Sequence, residues 1–175
     1  MNWTEFLKAR VADVYGATEG LIDLVDDENL DWRPETGHNW MTMGQLLEHL
    51  HTACGFCMQG FVTGEWKAPD GTDFADMPEE EMLPPAEKMR AVKSVDEARQ
   101  ALAKDRALSV AMIEKAGEKD LAEKQVTAPW NPTPMALGMQ LDFCTVHLEQ
   151  HKAQLFYYLK LQGKPVHTGS LYGMG

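Results

Sequence analysis

Cys144-Thr145-Val146-His147-Leu148-Glu149-Gln150-His151-Lys152-Ala153-Gln154-Leu155-Phe156-Tyr157-Tyr158 is the stretch on which the reading of this chain turns. Two histidines four residues apart are separated by only about 40° around an α-helix. Cys144, Leu148, Leu155 and Tyr158 share their side, which is the apolar one. Two imidazoles therefore point side by side toward a core, at a spacing that can bind one metal ion. The alternative is a metal-free core pair, each ring satisfied by a neighbouring carbonyl or hydroxyl, because buried imidazoles need partners and resist protonation. A metalloprotease pattern does not fit. There a glutamate directly follows the first histidine, whereas Leu148 does here. Glu149 lies about 200° round on the outer face, where a surface salt bridge suits it.

The helix carrying this stretch is predicted over roughly 29 residues, or ~43 Å. Thr133 caps it, Pro134 takes its first position, and Gly163 and Pro165 end it. Upstream, Ser94-Val95-Asp96-Glu97 is a capping box that opens a third helix, with Ala98, Leu102, Leu108, Met112 and Ile113 on its stripe and a stop near Gly117. Thr42, with Gln45 three residues on, opens a second helix. Its buried stripe is Met43, Leu46, Leu47, Leu50, Ala53, Cys54, Cys57 and Phe61, and it ends near Gly64. Phe6, Val11, Val14, Leu21, Leu24 and Val25 recur at threes and fours and predict a first helix from about Trp3 to Asp27. Asp31 to Gly37 reads as a loop. Glu65 to Lys93, rich in Pro, Gly and acids, reads as a long connection with a short helical turn between Pro84 and Arg90; such connections are as a rule functional or mobile. Four amphipathic helices without a hairpin signal make an all-α four-helix bundle, expected as a single domain over residues 1–175.

The chain has 175 residues, with 16 Lys+Arg against 27 Asp+Glu and a net charge of −11. Nucleic acid and anionic membrane are excluded as partners, since neither is matched by a basic stripe here. No segment approaches the ~20 apolar residues of a membrane span, and Met1-Asn2-Trp3-Thr4-Glu5 lacks the apolar run of a signal peptide. Three cysteines, an odd number, read as reduced thiols of a cytoplasmic protein.

On the second helix His49 and His51 are also about 200° apart, so at most one faces the core. His49 shares its side with Leu46, Ala53 and Phe56, which favours it. His38 and His167 fall in loops and read as solvated, or bordering a pocket. Cys54-Gly55-Phe56-Cys57 is a CxxC, but it lies inside a predicted helix rather than at a helix N-terminus, so it reads as buried small hydrophobes. Cys144, one turn from His147, would line the same cavity. Trp32, Trp40, Trp66 and Trp130 gather at the bundle ends as a pocket rim or core cover, and Glu79-Glu80-Glu81 is a solvated face.

Thr42-Met43-Gly44-Gln45-Leu46-Leu47-Glu48-His49-Leu50 resembles the second-helix signature of the DinB-like (YfiT-like) metalloenzymes. His147-Leu148-Glu149-Gln150-His151-Lys152-Ala153-Gln154-Leu155 resembles their last-helix signature, and the close at Leu161-Gln162-Gly163-Lys164-Pro165-Val166 and Leu171-Tyr172-Gly173 is similar too. Coverage is essentially the whole chain. Lys152-Ala153 departs from the Arg-Gly often found there, which puts any role for that arginine in doubt.

The resemblance implies an up-down-down-up bundle, commonly a homodimer, holding one divalent metal per chain on His49, His147 and His151. Zinc or nickel is the first expectation, with iron and manganese also accepted by such ligands. Three imidazoles and an open fourth position suit a catalytic site. The implied function is a metal-dependent enzyme acting on a small molecule, by analogy with relatives that are thiol-dependent S-transferases. A metal-dependent hydrolase and a non-catalytic metal-binding stress-response bundle are the alternatives. Gln154, one turn beyond His151, is placed to act on the ligand from behind.

Overall fold

Apolar residues at helical spacing do build a bundle, and the computed structural model describes residues 2–67, 73, 77 and 84–174. Helix α1 (Trp3–Ile22) starts on a capping box between Asn2 and Glu5. Helix α2 (Met43–Leu50) starts on the Thr42–Gln45 box read from the sequence. Helices α3 (Gly55–Thr63) and α4 (Val95–Glu123) follow, then a hairpin of β1 (Gln125–Ala128) and β2 (Asn131–Ala136), and finally α5 (Leu137–Leu161). Short 3-10 turns lie at Asp27–Asn29, Ala86–Lys88 and Thr168–Tyr172.

Ion pairs and contacts give the directions. Lys8 with Glu114, Glu19 with Arg106 and Asp23 with Arg99 run α1 antiparallel to α4. Trp3 on Gly138, and Arg10 with Asp142 and Glu149, run α1 parallel to α5. Met41 meets Tyr158 and His49 meets His147, so the α2–α3 arm opposes α5. The result is an up-down-down-up bundle. Its core joins Leu7, Val11 and Leu21 to Leu46, Leu47, Leu102, Ile113, Leu148 and Leu155, all essentially inaccessible. No described helix is long and apolar enough to cross a membrane.

Three boundaries differ from the sequence reading, and one agrees with it. The first helix stops at Ile22 rather than Asp27, because the Asp27 carboxylate accepts the Val95 N–H at 2.6 Å and serves the start of α4 instead. The second helix is broken between His51 and Cys54. The third helical run does end at Gly117 as read, at φ +70°, which glycine adopts without a steric penalty, and a second short run continues beyond this kink to Glu123. The fourth begins at Leu137 rather than after Thr133. Thr133 and Pro134 lie in β2, which pairs antiparallel with β1 (Val126 opposite Met135, Ala128 opposite Asn131) across a bulge. Pro134 is tolerated because a two-stranded sheet is all edge. The N–H of Leu137 donates to the Lys124 carbonyl, so α5 starts off the hairpin's base rather than from a side-chain cap. The short turn foreseen between Pro84 and Arg90 is present at Ala86–Lys88; the acidic run Glu79-Glu80-Glu81 lies outside the described residues.

Asp105 makes the α2–α3 break. Reaching from α4, its carboxylate accepts the N–H groups of Gly55 and Phe56 at 3.1 and 3.2 Å, and the Tyr15 hydroxyl at 2.5 Å. Two orphan donors at the start of α3 are thereby satisfied by a side chain 50 residues away. A Cβ at position 55 would collide with Asp105, so only glycine allows this approach. Burial pushes the Asp105 carboxyl up to about 6, against the hydrogen bonds from Tyr15, Gly55 and Phe56 and the nearby His51, which all favour the anion. Tyr15 and Ser109 face it from α1 and α4, and the Cys54 and Cys57 thiols lie nearby, both pushed up to about 12 by burial.

Replacing Asp105 with alanine removes the acceptor that the Gly55 and Phe56 N–H groups share and one of the two partners of the Tyr15 hydroxyl, and should cost about 3 kcal/mol, read as a lowered midpoint in urea. The sign of the pH effect follows from the raised value. The native carboxyl keeps its proton where the unfolded one has released it, so its contribution is full below about pH 4 and is lost as pH rises toward about 6. The stability difference between the parent and Asp105→Asn should therefore shift against the parent across that window in urea melts; a flat difference would refute the assignment.

Candidate metal centre

His49 sits in the last turn of α2, and His147 and His151 one turn apart on the facing side of α5. Antiparallel packing of these two helices brings the three rings together from positions 98 and 102 residues apart in the chain. All three present Nε2. The separations are 3.3 Å between His49 and His147, 3.1 Å between His49 and His151, and 3.0 Å between His147 and His151. Nitrogens bound at about 2.0–2.1 Å to one tetrahedral ion lie about 3.3–3.4 Å apart, so this triangle is of the size an ion requires. The three donor atoms can hold one metal ion.

The orientation of His151 is imposed from behind. The Met41 carbonyl can only accept, so the Tyr158 hydroxyl donates to it at 2.9 Å. The Tyr158 oxygen then accepts from the Gln154 amide N–H at 3.1 Å, which turns the Gln154 carbonyl toward His151 Nδ1 at 3.0 Å. His151 therefore carries its proton on Nδ1 and offers a lone pair at Nε2. His147 donates to the Ala53 backbone carbonyl, a bond that favours its protonated form.

Burial opposes that form at all three rings. It is the first cause pushing His49 down to about 3, followed by the charges of His151, His147 and His51. Burial likewise lowers His147, with His151 adding to it, and lowers His151 against the Gln154 hydrogen bond. The rings stay neutral. Each Nε2 then bears either a proton or a lone pair, and three mutually adjacent atoms cannot alternate between two kinds. At least one neighbouring pair is like facing like. A cation facing three lone pairs resolves that conflict.

The other histidines stay apart. His51 turns away to Glu48 at 3.1 Å, as its position on the opposite helix face requires. His38 is exposed, and the exposed His167 accepts the Gly169 N–H at 3.1 Å in the C-terminal turn. Glu149 pairs with Arg10 at 2.9 Å on the outer face. The CxxC reading needs correction in two respects. Cys54 is the residue before α3, at a helix N-terminus after all, yet its burial keeps the thiol protonated. Cys57, rather than Cys144, lines the cavity that the three histidines share; the Cys144 thiol donates to the Gln140 carbonyl at 3.4 Å. Trp130, carried by the unforeseen hairpin, lines that cavity too. Trp66 is buried beside it at 5.4 Å between ring centres, while Trp32 and Trp40 pack edge-on to Tyr158 at the other end.

The family model of the DinB superfamily matches residues 10–155. The chain belongs to the DinB superfamily. The matched span runs from within α1 to the last turns of α5 and includes His49, His147 and His151. Comparison with curated proteins gives no significant match, and comparison with solved structures gives none either. Superfamily membership thus accounts for the bundle, and the site's chemistry rests on its own geometry.

Proposed function

We propose that this DinB-superfamily protein binds one divalent metal ion on His49, His147 and His151 and uses it as an enzyme, an S-transferase of a low-molecular-weight thiol. The observation that carries the metal reading is the triangle of Nε2 atoms, whose like-facing-like conflict an ion removes. When bound, such an ion supplies an open position that lowers the pKa of a donor atom placed there. The chain's own residues do the rest. Gln154 and Tyr158 hold the His151 ring in its ligating tautomer, and burial keeps all three rings free of competing protons. Apolar side chains such as Phe56, Met89 and Trp130 wall the adjoining cavity, and a substrate packed on them would displace water from the centre, which favours group transfer over hydrolysis. Zinc and nickel are the metals proposed, since imidazole suits both.

Elemental analysis of untagged protein tests the centre. About one equivalent of metal per chain is expected in the parent and near none in His147→Ala, in keeping with a three-ligand site that fails when one ligand is lost. No metal in either, even after incubation with zinc, nickel and manganese, would overturn the reading.

A homodimer is also proposed. Met139, Phe143, Tyr157 and Leu161 are each about half exposed or more and fall on one stripe of α5, within about 40° of each other around the helix. Phe143 stands one turn before His147, so the stripe flanks the histidine face of α5 rather than opposing it. Phe143→Glu should convert the parent dimer to a monomer in sedimentation velocity while its metal content stays unchanged; an unaltered sedimentation coefficient would exclude this face.

A further inference from the structure

The cavity beside the three histidines has a volume of about 540 Å³, ample for a small organic molecule. Met41, Phe56, Met89 and Trp130 supply its large side chains, and Pro84 and Ala86 extend the same apolar surface. No Asp, Glu, Lys or Arg is among the described residues that line it. Of the polar side chains described in the lining besides the histidines, Thr52 and the carbonyl oxygen of Asn39 are engaged with backbone, which leaves the Asn39 amide and the Trp130 indole N–H as neutral donors. The Thr52 hydroxyl donates to the His49 carbonyl at 3.1 Å, and the Asn39 carbonyl oxygen accepts the Ala86 N–H at 2.8 Å. Cys57 adds a thiol that burial keeps protonated, and a protonated thiol is a small apolar surface.

The walls are fixed in place. The Gln45 amide donates to the Ala86 and Met89 carbonyls at 2.7 and 2.9 Å, which ties the turn carrying Met89 to the start of α2. Trp130 stands at the hairpin turn, edge-on to Trp66 and Phe61, and remains 40% exposed on its other side. A charged substrate tail placed on these walls would lose its hydration and find no countercharge among the described residues, whereas an apolar one would be desolvated favourably.

We infer that the substrate of this centre carries an uncharged, apolar tail, an arene or branched hydrocarbon that packs on Phe56, Met89 and Trp130 while its donor atom faces the histidines. The inference rests on the metal reading for the head and on the cavity for the tail. It separates the substrate from low-molecular-weight thiols that are zwitterionic or polyanionic.

Two thiols with the same head and different tails make the test, phenylmethanethiol and 2-sulfanylethanesulfonate, titrated into cobalt-loaded protein and read by the cobalt absorption spectrum. Phenylmethanethiol should bind at least about tenfold tighter, in line with what a few buried carbons contribute in an apolar pocket. Phe56→Ala should erase most of that preference at unchanged cobalt content. Met89→Lys, which puts a cation on the wall, should turn the preference toward the sulfonate, and it serves as the second variant should Phe56→Ala fail to fold. Equal affinity for the two thiols, or a sulfonate preference in the parent, overturns the inference. Absence of cobalt uptake would sink the metal reading alone. The tails would then be compared on metal-free protein by tryptophan fluorescence, with 2-phenylethanol against ethanesulfonate, where the same tenfold preference is expected and its absence is fatal.

Discussion

Three imidazole nitrogens meeting within 3.3 Å of one another are the constraint around which this bundle is organised. Neutral rings cannot satisfy such a triangle among themselves, and burial denies them the proton that would charge one of them. The fold must therefore hold α2 against α5 firmly enough to keep the conflict in place. It does so with buried leucines, Leu46, Leu47 and Leu50 on one side and Leu148 and Leu155 on the other. A chain of hydrogen bonds from Met41 through Tyr158 and Gln154 to His151 joins the same two elements. That chain runs from the entry of α2 to the back of a ring on α5, so packing register and tautomer are set together.

Asp105 supplies the second constraint. A continuous helix from Thr42 to Gly64 would carry His49, Phe56 and Cys57 along one straight axis. The break after Leu50 redirects the chain, and the carboxylate on α4 terminates it by taking the first free N–H groups of α3. Burying that carboxylate is unfavourable, as its raised pKa records, yet Tyr15 and the two backbone donors compensate it. One consequence is functional. Phe56 and Cys57 begin a new helix and line the same cavity as His49.

Most of the bundle was legible in the sequence because it rests on local signals: apolar spacing, the Thr42–Gln45 box, and the i, i+4 pair His147 and His151. The choice of His49 over His51 was legible too, since two residues apart on a helix means opposite faces. What was not legible depended on partners distant in the chain. Nothing near Gly55 announces that Asp105 will cap it from α4, so the α2–α3 break was hidden and Cys57 was placed in the core instead of at a cavity wall. Thr133-Pro134 looks like a helix start, because proline suits a first helical turn. It suits an edge strand equally well, and the residue before a proline prefers extended backbone. The pairing of Val126 with Met135 decided between the two. With the hairpin unseen, Trp130 had no position relative to the histidines.

Lys152 shows how the residue next to His151 is turned to a different task from the three rings. It follows His151 directly, so it points about 100° away from that ring. Its side chain is almost wholly buried, and its ammonium donates to the Leu171 carbonyl at 2.6 Å, 6.0 Å from the Tyr172 ring. Burial lowers its pKa, Glu149 at 3.9 Å opposes that, and Arg10 reinforces it. The residue thus fastens the Thr168–Tyr172 turn to the outside of the bundle, where Gly173 rests on Ala17 of α1. An ammonium on a flexible stem can fill that single-acceptor role without the planar fork of a guanidinium. The position after His151 is therefore answerable to the C-terminal turn, and the ligating face of α5 to His147, His151 and Gln154. Because the two faces are separate, the Lys152 ammonium anchors the C-terminal turn without touching the three rings.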